Sequence, residues 1–283
     1  MHEALYYEKL DNKKVRCRLC PHECNIPASG KGACAVRFNR DGTLYTSVYG
    51  KTTGISLDPI EKKPLYRYHS GEYILSLGTR GCNLHCDFCQ NWHISQEADG
   101  PTENITSEEV VRRAKELGSF GIAYTYNEPF IWYEFVLDTA KLAKAEGLEN
   151  VLVTNGFVNK EPLGELLPYI DAMNIDLKAF DEDFYVKTCK GRLKPVLDVI
   201  KISAEKCHIE LTNLVIPALN DSEAMIKKMV DWIYDNLGAD TPLHLSRYFP
   251  CYKMTLPPTP AETLKTAERI AKEKLKYVYL GNV

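Results

Sequence analysis

From Tyr73 onward the chain repeats one arrangement, a short β-like apolar run followed by a longer amphipathic stretch, and this alternation limits the fold more than any other feature. The runs are EYILSLGTR, GIAYTY, VLVTN, AMNIDL, IELTNLVI and PLHLSRY, rich in the branched and aromatic residues that suit strands. Each is followed by a helix candidate. Ser107 opens the first, with Glu108 and Glu109 in its first turn and VVRRAKEL as its body; IWYEFVLDTAKLAKAEG ends at Gly147. PLGELLPYI and KPVLDVIKISAEK come next, then SEAMIKKMVDWIYDNLG and PAETLKTAERIAKEK, opened by Ser222 and Pro260. Six β-then-α units in series predict a parallel sheet with right-handed crossovers, either doubly wound or curled into a partial barrel. Both forms gather ligands at the carboxyl ends of the strands.

At the end of the first run stands CNLHCDFCQN, with Cys82, Cys86 and Cys89 in one loop. Three thiolates at this spacing can hold three irons of a 4Fe-4S cluster and leave the fourth iron without a protein ligand. A structural zinc needs four closed ligands, so His85 or His93 would have to complete it, and His85 would be cramped inside the loop.

The remaining composition narrows the partners. The 283 residues carry a formal net charge of -3, from 35 basic and 38 acidic side chains, so no overall basic field draws the chain to nucleic acid or anionic lipid. No window approaches the roughly 18 apolar residues of a membrane span, and MHEALYYEKL lacks the apolar core of a signal peptide. A cytoplasmic location is expected. In that setting the 10 cysteines are read as metal ligands before disulfides, with Cys189, Cys207 and Cys251 as ordinary buried thiols.

Residues 1–70 differ in texture: Cys, Gly, Lys and Tyr are frequent, turn signals recur at Ala28-Ser29-Gly30 and Asp41-Gly42, and helical periodicity is weak. A small metal-held module over 1–70 is expected ahead of a main domain over 71–283. Cys17, Cys20, Cys24 and Cys34 supply four thiols; they close a tetrahedral zinc site or, equally by composition, hold a second iron-sulfur cluster. Zinc is the first expectation, with His22 as an exposed loop residue.

CNLHCDFCQ resembles the C-x3-C-x-aromatic-C loop of radical SAM enzymes, with Phe88 at the aromatic position. The resemblance implies a partial (β/α)6 barrel. It also implies that S-adenosylmethionine binds the open iron and is cleaved reductively to methionine and a 5'-deoxyadenosyl radical, with an electron from flavodoxin or ferredoxin. Further motifs follow in order. TYNEP (Thr125 to Pro129) is similar to the segment that binds the methionine amino group, with Asn127 in place of a glycine and Glu128 as the binding residue. TNG (Thr154 to Gly156) contributes Asn155, with Val153 where some members carry an acid, and DLK contributes Asp176 and Lys178, which face the cofactor. NLVIPALND (Asn213 to Asp221) resembles the segment near the adenine.

DPIEKKPLY, CQNWHISQ, RYFPCYKM and the amino-terminal cysteine pattern together resemble the radical SAM component of the AmmeMemoRadiSam system, a relative of pyruvate formate-lyase activating enzymes. That resemblance implies Memo-type and AMMECR1-type protein partners. It implies no substrate. A glycyl-radical activase is the alternative, and a zinc-binding interaction module without catalysis the remote one.

Overall fold

In the computed structural model, which describes residues 1–283, the alternating runs build one sheet of eight strands. They are β1 (Gly54–Pro59), β2 (Tyr73–Gly78), β3 (Gly121–Tyr124), β4 (Glu149–Thr154), β5 (Ala172–Asp176), β6 (His208–Val215), β7 (Leu243–Arg247) and β8 (Val278–Gly281). They lie side by side in chain order. β2 through β8 are parallel, and β1 runs antiparallel along β2.

Every expected helix forms, each crossing between successive parallel strands: α1 (Ser107–Glu116), α2 (Tyr133–Ala145), α3 (Lys160–Leu166), α4 (Leu193–Ala204), α5 (Glu223–Leu237) and α6 (Ala261–Lys272). A doubly wound sheet reverses its strand order at a switch point, whereas here the order never reverses. Crossovers of one hand then put all the helices on one face. This decides between the two predicted forms in favour of the partial barrel. Two strands beyond the six expected ones flank it, β1 and β8.

Local chemistry accounts for the elements. β2 is buried from Ile74 to Gly78, as a parallel strand covered on both faces must be, so it reads as a nearly unbroken apolar run. α1 buries Val110, Val111 and Ala114, and its first turn is capped by Thr106, whose hydroxyl accepts from the Glu109 amide at 3.2 Å. Ser222 caps α5 through the Met225 amide at 3.3 Å. No helix is long and apolar enough to cross a membrane.

The first 50 residues form two small antiparallel sheets, one from His2–Glu3, Arg37–Arg40 and Thr43–Thr46, the other from Tyr7–Lys9, Val15–Cys17 and Asn25–Ile26. Val15, Ile26, Val36 and Leu44 share one continuous core with the barrel. The two parts are pinned by a buried ion pair between Arg37 and Glu134 of α2, and by the Trp132 indole donating to the Val48 carbonyl at 2.6 Å. β1, which precedes residue 70, completes the edge of the large sheet.

Candidate active site

The loop that follows β2 is pressed between the barrel and the amino-terminal segment. A Cβ at Gly78 would meet the Thr125 carbonyl at 2.3 Å, and one at Gly81, where φ is +93°, would meet the Val36 side chain at 2.7 Å and the Cys34 carbonyl at 2.8 Å. Only glycine fits such close approaches. Leu84 and Phe88 are buried at 1% and 5% exposure, anchoring the loop by its apolar side chains. Its backbone is clamped by the far chain, with the His85 amide donating to the Cys189 carbonyl at 2.9 Å and the Asp87 amide to the Thr188 carbonyl at 3.1 Å. Asn83 donates to the Phe157 carbonyl at 2.6 Å.

Cys82, Cys86 and Cys89 are free thiols that line one cavity of about 400 Å³. The Cys82 sulfur accepts from the Leu84 amide at 3.4 Å and from the Asn155 side-chain amide at 3.5 Å, and donors of this kind favour the thiolate that metals require. Burial pushes the Cys82 and Cys89 thiols up. Cys86 is drawn down instead, by its bond with the Cys189 thiol and, against burial, by the Lys178 charge. Both nitrogens of His85 are engaged, with Gln96 at 2.6 Å and the Ala33 carbonyl at 3.0 Å, and His93 is exposed.

The strand-end residues surround the same cavity. Glu128, after β3, is 1% exposed. Its Oε1 accepts from the Phe130 amide at 3.0 Å and the Thr154 hydroxyl at 2.7 Å, and its Oε2 from the Asn155 amide at 2.8 Å. Burial outweighs these donors and holds its pKa up at about 7. Asn155 bridges onward to the Asn83 side chain at 2.9 Å. Asp176 and Lys178 share a face as residues i and i+2 of an extended segment do, and their charges meet at 2.8 Å with the lysine 14% exposed. Burial opposes that lysine's charge, but Asp176 and the thiols Cys86 and Cys189 raise its pKa well above the usual value. Lys178 also lies 5.8 Å from the Phe88 ring centre. Asn127 lines the cavity, yet its side chain is occupied by the loop: Oδ1 accepts from the Thr79 amide at 3.0 Å and Nδ2 donates to the Gly81 carbonyl at 2.9 Å.

Cys17, Cys20, Cys24 and Cys34 are free thiols outside this cavity. Burial raises the Cys20 thiol, and Cys17, Cys34 and Cys24 are all near enough to raise it further. Arg37 reaches the Cys17 sulfur at 3.8 Å. No three His, Cys, Asp or Glu side chains converge as ligands around a single ion do; a cubane, which carries its thiolates on separate irons, does not ask for that spacing.

Three residues differ from expectation or escaped it. His22 is half-buried, not an exposed loop residue, because its ring contacts the Asn83 carbonyl at 2.6 Å and packs edge-on to Phe157. Cys189, fully buried, lies against Cys86, and Cys251 donates to the Cys89 carbonyl at 3.5 Å. No local signal marks these two cysteines, since their partners are about a hundred residues or more away in the chain.

A model of the radical SAM superfamily matches residues 76–233. An uncharacterized Methanocaldococcus jannaschii protein is 46% identical over 288 residues, covering 100% of this chain and 86% of that protein. The pyruvate formate-lyase-activating enzyme of Clostridium pasteurianum is 27% identical over 164 residues, 54% of this chain and 66% of its own. Among solved structures, a domain of the pyruvate-formate lyase-activating enzyme from Bacteroides vulgatus shares the fold at TM-score 0.51 and 21% identity, covering 57% of this chain and 99% of that one.

Proposed function

The chain belongs to the radical SAM superfamily, and from that premise we propose that Cys82, Cys86 and Cys89 hold a 4Fe-4S cluster whose fourth iron is left for S-adenosylmethionine. When bound and reduced, the cluster supplies the electron that cleaves S-adenosylmethionine to methionine and a 5'-deoxyadenosyl radical, which takes a hydrogen atom from the substrate. The observation that carries this reading is that the three thiols, Glu128 and the Asp176–Lys178 pair line one cavity.

The chain's own residues divide the work. Glu128 Oε2 has one donor and room for another, so it accepts from the methionine ammonium, and a cation beside it restores the charge that burial disfavours. Lys178 donates to the methionine carboxylate, with Asp176 orienting its ammonium. Asn155 supports the Cys82 sulfur, Phe88 keeps water from that wall, and Asn127 holds the loop at Thr79 and Gly81.

In a module over 1–70, whose last strand β1 pairs onto the barrel over 71–283, the amino-terminal thiols hold a second iron-sulfur cluster, or zinc once their sulfurs draw together around it. Flavodoxin or ferredoxin supplies the electron in the cytoplasm. The likeness of the whole chain to the AmmeMemoRadiSam component supports Memo-type and AMMECR1-type partners. Anaerobically reconstituted, reduced protein is expected to form 5'-deoxyadenosine and methionine. Full cleavage by Cys82→Ala, Cys86→Ala or Cys89→Ala would end this reading.

A second reading, activation of a glycyl-radical enzyme, is favoured by the likeness to activating enzymes. Electron paramagnetic resonance of candidate partners tests it: robust cofactor cleavage without a glycine-centred doublet removes it.

A further inference from the structure

The cavity has a second cationic corner, opposite in chain origin to Lys178. Lys62 and Lys63, from the turn after β1, line the cavity together with the three thiols, and the ion pairs of both run to the same acid, Asp58. Asp58 Oδ1 accepts from Lys62 at 3.1 Å and from the Ser56 hydroxyl at 3.2 Å; Oδ2 accepts from Lys63 at 2.9 Å and from the Tyr126 hydroxyl at 2.8 Å. Two ammonium groups on one carboxylate leave one positive charge.

Lys63 is the informative member. Its side chain is 2% exposed, and of the three N–H groups an ammonium carries, one reaches a protein acceptor, Asp58. Its Nζ rests 4.8 Å from the Tyr126 ring centre. Tyr126 itself has φ of +72°, a left-handed backbone that costs a bulky aromatic residue and persists only where its surroundings enforce it. They do so here: its carbonyl accepts from the Asn91 side chain at 2.7 Å, just beyond the thiol loop, and Gly78 leaves the space beneath its ring. The fold thus holds a strained tyrosine over a buried, under-partnered lysine. A merely structural ion pair needs neither the second lysine nor the strain.

We infer that Lys62 and Lys63 bind an anionic group of the substrate, a carboxylate or a phosphate. This rests on the reading above, in which the single carboxylate of S-adenosylmethionine goes to Lys178 and so leaves this corner without a cofactor group. It selects an anionic small molecule or an anionic side group as substrate. A backbone glycine of a protein carries no charge to place here.

The test titrates inorganic phosphate and, separately, succinate into the full-length protein by calorimetry at constant ionic strength, in two states: reconstituted with S-adenosylmethionine bound, and cluster-free. Saturable binding of one probe is expected, and whichever binds tighter identifies the group. Lys62→Gln keeps the Lys63–Asp58 pair and the fold, and it should weaken the anion about tenfold while leaving S-adenosylmethionine affinity within about twofold. Lys63→Met should abolish anion binding. Absence of saturable binding by the parent overturns the inference, as does Lys62→Gln that binds the anion normally or loses the cofactor instead. Anion binding by the cluster-free protein, alongside a reconstituted parent that binds no S-adenosylmethionine, would sink the cofactor reading and leave the anion site standing.

Discussion

Two ion pairs in this molecule are both taken out of bulk water but are built for different ends. Arg37 and Glu134 are 1% and 2% exposed and join the amino-terminal sheets to α2. Asp176 and Lys178 are 33% and 14% exposed and border the cavity. The first pair spends its donors inside the protein: Arg37 also donates to the Leu5 carbonyl at 2.8 Å, and Glu134 accepts from the Leu5 amide at 2.8 Å. It still leaves Arg37 Nε and Glu134 Oε2 without partners. A pair closed on all sides can only hold parts together. A pair with one face on a cavity keeps a donor for a ligand, and its surroundings can be rigid without being saturated: the Lys178 amide donates to the Tyr185 hydroxyl at 3.0 Å and its carbonyl accepts from Asn220 at 2.7 Å.

Removing one member of the closed pair is the largest expected effect. Arg37→Met strands Glu134 in the core and should cost about 3–5 kcal/mol, read as a lowered denaturation midpoint; a loss under about 1 kcal/mol would erase the distinction between the pairs. Lys178→Ala should show the opposite profile. Its expected cost is a charge-assisted bond to the cofactor worth about 1.5–3 kcal/mol, or roughly tenfold or more in S-adenosylmethionine affinity, with the cluster retained. Affinity within about twofold of the parent would count against Lys178 as a ligand.

Glu210 extends the comparison to a closed acid. Burial pushes its pKa up, but donors from His208, His244 and the Arg67 and Tyr66 amides overcome this and hold it at about 2. A depressed carboxylate pKa contributes stability that is complete above the unfolded value of about 4.3 and is lost as pH falls through the folded value. Glu210→Gln should therefore flatten the fall in stability across that acid window, measured by urea unfolding at several pH values; an unchanged slope would show that other carboxylates set it. The smallest effect belongs to Arg112 and Glu116 on α1, each 57% exposed. Arg112→Ala should change stability by about 0–1 kcal/mol, which a melting curve resolves as a shift of a few degrees at most.

Legibility from sequence followed distance along the chain. Asp176 and Lys178 could be paired in advance because strand alternation puts i and i+2 on one face. Glu128 could be placed at a strand end, but not its three donors, two of which come from Thr154 and Asn155 on the next strand's end. Asn127 lines the cavity, as its place in TYNEP implies, but its bonds to the loop backbone at Thr79 and Gly81 have no sequence signal. β8 was missed because VYLG is short and no helix follows it to continue the alternation. β1 was missed because its turn-rich neighbours hide a strand that forms only by pairing with β2.

The sequence by itself determined that three thiols share one loop and in what succession strands and helices follow, since both depend on residues within one turn, one strand or one helix of each other. Three thiols separated by a few residues share a loop in any fold. Tertiary structure alone decided that Cys189 and Cys251 flank that loop, that His22 reaches it from the amino-terminal sheets, and that Lys62 and Lys63 meet Tyr126 around Asp58. The cysteine contacts arise where the parallel strands bring their carboxyl ends to one rim, whereas antiparallel β1 delivers Asp58, Lys62 and Lys63 from the opposite edge of the sheet; no local periodicity encodes which distant side chains the closing sheet will set side by side.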